Sequence, residues 1–70
     1  MQPITISKVR AFRNALGKTQ KEMSELLNIH YGVYGRKERM LVSFTDKEKV
    51  ILLNYFKKYF PNETIDSLFF

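Results

Sequence analysis

Helix-start signals recur so closely along this chain that it is expected to fold as a succession of short helices. Ser7, Thr19, His30, Thr45 or Asp46, and Thr64 each stand where a side-chain acceptor would satisfy the N–H groups that a first helical turn leaves without partners. In the first segment Ile6, Val9, Phe12 and Leu16 recur at three- and four-residue steps, and Gly17 ends it. Thr19 and Glu22 have the spacing of a capping box, hydroxyl to amide and carboxylate to amide. The second helix follows with Met23, Leu26 and Leu27 on one face, and it ends near Leu27 because Asn28 tolerates the left-handed conformation.

His30 opens a third helix over residues 31 to about 39. Gly32 and Gly35 each oppose that helix by about 1 kcal/mol relative to Ala, so packing of Val33 and Tyr34 has to compensate. Residues 40–44 read as a loop. The fourth helix carries Val50, Ile51, Leu52, Leu53, Tyr55, Phe56, Tyr59 and Phe60 and stops before Pro61. A last short helix from Thr64 to about Phe69 buries Ile65 and Leu68.

Seventy residues, 44% of them apolar, suffice for one core, so a single domain over residues 1–70 is expected. With no Cys, neither disulfides nor thiolate zinc can brace it, and a reducing cytoplasm fits. No apolar run approaches the roughly 18 residues of a membrane span, and the first residues lack the pattern of a signal peptide, so the expected protein is soluble. Twelve Lys and Arg against seven Asp and Glu leave a net charge of +5, which favours polyanions, above all nucleic acid. One His and no Cys supply neither a nucleophile–base pair nor a metal triad, so no enzyme, metal or cofactor is expected.

Across residues 19–38 the features combine at fixed offsets: the capping box, the small Ser24 where two helices would cross, Asn28 at the turn, the apolar Ile29, and Tyr34 as the inward side chain of the next helix. This segment resembles the helix-turn-helix of the Cro and phage-repressor family. The resemblance extends to Val9-Arg10 and Arg13 before Leu16-Gly17, and to Ile65 through Phe69 as a closing helix. It implies an all-α, lambda-repressor-like bundle of about five short helices. It also implies an ion pair between Arg13 and Glu38, the alternative being two independent surface charges.

In that family the exposed start of the third helix reads base edges, which here means Tyr31, Gly32, Gly35 and Arg36. Arg36 would donate to guanine and Tyr31 would pack on a thymine methyl or donate its hydroxyl. Phosphates would be met by Lys18, Gln20, Lys21, His30, Lys37, Arg39 and Ser43, whereas Lys57 and Lys58 read as ordinary solvated charge. The implied function is a small Cro-like transcriptional regulator, phage- or prophage-encoded, that binds double-stranded operator DNA in a bacterial cytoplasm. The alternative is an antirepressor that docks on the DNA-binding domain of a phage repressor, which a helix thinned by two glycines and carrying Tyr31 would suit. Ile65, Leu68, Phe69 and Phe70 either pack inward or form a two-fold homodimer interface.

Overall fold

The computed structural model describes residues 7–70, and the expected contribution of Ile6 to the first helix lies outside them. Five helices follow one another: α1 (Lys8–Ala15), α2 (Gln20–Leu27), α3 (Tyr31–Glu38), α4 (Asp46–Lys57) and α5 (Ile65–Phe69), with no strand among the described residues. The fold is all-helical, and each helix begins on the side-chain cap its sequence offers. Ser7, Thr19, His30, Thr45 and Thr64 accept from the N–H of Arg10, Glu22, Gly32, Glu48 and Ser67 respectively. Thr19 with Glu22 and Thr45 with Glu48 complete reciprocal capping boxes. Thr45, not Asp46, is therefore the cap of α4, because its hydroxyl lies three residues before Glu48.

The first three helices stop in one way. Gly17, Asn28 and Met40 adopt left-handed φ values of 68°, 57° and 65°. After each, a six-to-one bond closes the turn, from Lys18 to Arg13, Ile29 to Ser24 and Leu41 to Arg36, at 2.9 to 3.0 Å. A second bond, spanning three residues, lies inside each turn, from Gly17 to Asn14, Asn28 to Glu25 and Met40 to Lys37. This paired arrangement satisfies carbonyls that the helix end would leave orphaned. Two of the residues, Gly17 and Asn28, suit the left-handed conformation, and Met40 does not.

Val9, Met23, Leu27, Tyr34, Leu52, Phe56 and Leu68 form the core, drawn from all five helices. Each such side chain removed from water stabilises the fold by about 1.5–3 kcal/mol. α4 ends at Lys57, earlier than its apolar pattern suggests, and Tyr59 and Phe60 continue as a turn whose N–H groups both bond to Phe56 O. Pro61 disfavours helical geometry at Phe60, and the released Phe60 ring stacks on Phe12 with centroids 4.2 Å apart. Leu68 lies in the core at 4% exposure and Phe69 meets Phe44 edge-on at 5.7 Å. Of the four residues expected to serve a two-fold interface, only Phe70 is thus fully exposed, and Ile65 is half-buried.

Candidate nucleic-acid interface

α2 and α3 pack on each other and are joined by Asn28, Ile29 and His30. Ser24 is buried, with its hydroxyl donating to Lys21 O at 2.7 Å, and Ile29 packs against the core. The third helix is fixed from beneath by Tyr34, which is fully buried, and by Glu38, whose side chain has no exposure at all.

Arg13 and Glu38 form the ion pair the resemblance implied. Arg13 donates through Nε to Glu38 Oε2 at 2.8 Å and through a terminal nitrogen to Oε1 at 2.9 Å, a two-pronged geometry that only a guanidinium provides. Its other terminal nitrogen donates to Lys18 O at 2.7 Å, so one side chain ties α1, the α1–α2 turn and α3 together. Burial alone would raise the Glu38 carboxyl, but the bonds and charge of Arg13, together with the neighbouring Tyr34 hydroxyl and Gln20 amide, outweigh it and hold the carboxyl below the ordinary carboxylate range. The Tyr34 hydroxyl is buried beside the pair without a partner of hydrogen-bond geometry. Burial, followed by the neighbouring Glu38 carboxylate, pushes its pKa up.

Both glycines of α3 have a local explanation. The His30 imidazole accepts from Gly32 N–H through Nδ1 at 3.0 Å, and a Cβ on Gly32 would lie 3.2 Å from that nitrogen. Because Nδ1 accepts, the neutral ring carries its proton on Nε2, leaving a donor. The ring also stacks on Tyr31 at 4.4 Å. Gly35 is buried, and a Cβ there would sit 3.3 Å from Gln20 Oε1. The Gln20 amide crosses the helix at that point and donates to Glu38 Oε1 at 3.3 Å.

Three expected site residues are accordingly reassigned. Gly35 is not on the reading face, because the Gln20 side chain lies over it. Gln20 spends its amide on Glu38, leaving the N-terminus of α2 as its nearest means of meeting a phosphate. Lys37 is held by Glu48 at 2.6 Å with only 10% of its side chain exposed, so it braces α3 against α4. Burial raises the Glu48 carboxyl and the Lys37 and Thr45 bonds more than reverse this, so it too stays below the ordinary range. Glu48 is a functional neighbour the sequence reading passed over, although the Thr45-to-Glu48 spacing carried a capping-box signal.

The remaining candidates lie on the surface. Tyr31, Arg36, Arg39, Lys21, His30 and Ser43 are exposed, and Gly32 is partly so. Lys18 is half-exposed and lies 3.9 Å from Glu22, a separation at which an exposed pair contributes little. Arg39 bends back to donate through Nε to Gly35 O at 3.3 Å. Among the described residues no carboxylate lies within ion-pair distance of Lys21, Arg36 or Arg39. No cluster of His, Asp or Glu able to hold a metal occurs among them either. No described helix is long and apolar enough to cross a membrane.

Set against known protein families, curated proteins and solved structures, the chain matches none of them.

Proposed function

We propose that this chain is a small transcriptional regulator that binds double-stranded DNA through a helix-turn-helix made of α2 and α3, with α3 entering the major groove. One observation supports this above the others. The only acid in α3 is Glu38, and it is wholly withdrawn into its bond with Arg13, so the exposed part of the helix carries Tyr31, Arg36 and Arg39 and no carboxylate. A surface that approaches phosphates gains from that withdrawal. In this reading Arg36 reads guanine, Tyr31 meets a thymine methyl, and Lys21, Arg39 and the His30 Nε2–H meet phosphates. By the resemblance to phage repressors, the site of action is an operator inside a bacterial cell. Gln20 over Gly35 and the His30 ring beside Gly32 narrow the close approach that docking on a partner repressor would use, which leaves the antirepressor reading with Tyr31 and the exposed Phe70.

The test is selection of duplexes from a random pool by the full chain, followed by titration of the selected duplex at two salt concentrations. Affinity is expected to fall steeply with salt, and Arg36→Ala is expected to erase preference at one base pair at a cost of about 1–3 kcal/mol. An unenriched pool, or binding that ignores salt, overturns the reading.

A further inference from the structure

The exposed apolar side chains are unevenly distributed. Immediately after α3, Met40, Leu41 and Val42 are all exposed, and Phe70 is 82% exposed. Met40, Val42 and Phe70 come together with Phe44 and Phe69 around an open groove of about 380 Å³. Lys49 stands over its aromatic end, with Nζ 4.6 Å from the Phe70 ring centre and 5.9 Å from that of Phe69. The other two lysines of the lining, Lys8 and Lys37, are taken up by Glu63 and Glu48, and no Asp or Glu is among the described lining residues. One wall is presented by Met40 in a left-handed conformation that a methionine adopts only under constraint.

We propose that this groove docks a short acidic and apolar segment of a protein partner, whose apolar side chains pack between Val42 and Phe70 and whose carboxylates meet Lys49. Charge complementarity selects this occupant. A second copy of the chain, itself carrying +5, would bring cations toward Lys49. Duplex DNA would gain nothing from an apolar lining and would find only Lys49 uncommitted among the described lining residues. The inference stands apart from the DNA reading, since it uses neither Tyr31 nor Arg36.

The experiment uses the full chain labelled with nitrogen-15 and a short synthetic peptide in which Leu and Phe alternate with Asp and Glu. Saturable shifts are expected at residues 40–44, Lys49 and Phe70. The same peptide with Lys in place of each acid is expected not to bind. Lys49→Glu is expected to weaken the acidic peptide by roughly tenfold or more. Phe70→Ala should also weaken it while leaving the helical circular dichroism unchanged, because so exposed a ring supports little of the core. Equal binding of both peptides, no saturation, or an unchanged affinity on Lys49→Glu overturns the proposal. So do three other occupants: shifts of these signals on dilution without peptide, which mark a second copy; displacement of the bound peptide from Lys49 and Phe70 by duplex DNA; and contacts from Ile4 or Ile6 to Val42 or Phe70 in the free chain.

Discussion

Glu38 has no exposed side-chain surface, so its charge is stable only while Arg13 stays in place. Removing one partner of a buried pair strands the other, at about 3–5 kcal/mol. A chain of seventy residues has on the order of 4–10 kcal/mol of total stability, so Arg13→Ala should leave the protein marginal or unfolded, whereas Arg13→Met combined with Glu38→Leu should cost far less. Urea denaturation of the single and double variants checks this, and a double variant as destabilised as Arg13→Ala would show that the loss does not come from stranding Glu38. The same bonds set the response to acid. Folding holds the carboxyls of Glu38 and Glu48 below their unfolded values. Their contribution is therefore complete above the unfolded carboxyl pKa, about 4.3, and is lost as pH falls from there through the folded values. The urea midpoint should be level from neutral pH to about 5 and decline below, less steeply in Glu38→Gln. Tyr34 offers the opposite case. Its hydroxyl is buried without a well-formed bond, so Tyr34→Phe should leave stability within about 1 kcal/mol or raise it. A larger loss in the urea midpoint would mean that the hydroxyl supports the ion pair.

At the scale of the helix, starts were legible and stops were partly so. Capping depends on residues two or three apart, which a sequence displays directly, and Ser7, Thr19, His30 and Thr64 cap as expected. Gly17 and Asn28 likewise announce their left-handed turns, but nothing about Met40 does, because its conformation is imposed by the closing bond from Leu41 to Arg36. Met40→Gly should therefore raise the thermal midpoint, by the equivalent of about 1 kcal/mol, since a left-handed backbone costs a side chain roughly 1–2 and glycine nothing, less the freedom glycine gives the unfolded chain. A fall would show that the Met40 side chain contributes more by packing than its backbone loses. The partnerships of Gly32 with His30 and Gly35 with Gln20 could not be read from the chain, because a missing Cβ says only that space is needed and not what fills it. Gly32→Ala should be close to neutral, with the helical gain of about 1 kcal/mol offset by a disturbed cap, but should stabilise by about that amount once His30→Ala has removed the ring. A double-mutant cycle measures this coupling, and additive effects would refute it. Lys37 with Glu48 was equally hidden, since it depends on α4 packing beside α3.

For the molecule as a whole, the question is where the net charge of +5 resides. Glu22, Glu38, Glu48 and Glu63 are within reach of lysine or arginine, and Asp46 and Asp66 occupy the first turns of α4 and α5, where the helix dipole favours them. The internal architecture thus absorbs most of the acids. Among the described residues it leaves Arg10, Lys21, Arg36, Arg39, Lys47, Lys49, Lys57 and Lys58 without an ion-pair partner. Lysines that look equivalent in the sequence consequently separate into two kinds, those bonded within the fold and those available to a polyanion. Lys21 belongs to the second and Lys37 to the first, although both were expected at phosphates. Each phosphate contact contributes close to one unit to the slope of log affinity against log salt. Lys21→Ala and Arg39→Ala should each reduce that slope by about one for duplex DNA and leave the thermal midpoint nearly unchanged. Lys37→Ala should do the reverse, keeping the slope while lowering stability by about 1–3 kcal/mol, because Glu48 loses its charged partner and keeps only the Thr45 amide. Salt-series titrations and thermal melts of the three variants decide it: a Lys37 variant whose slope falls like the others would mean that the bond to Glu48 opens when DNA is bound.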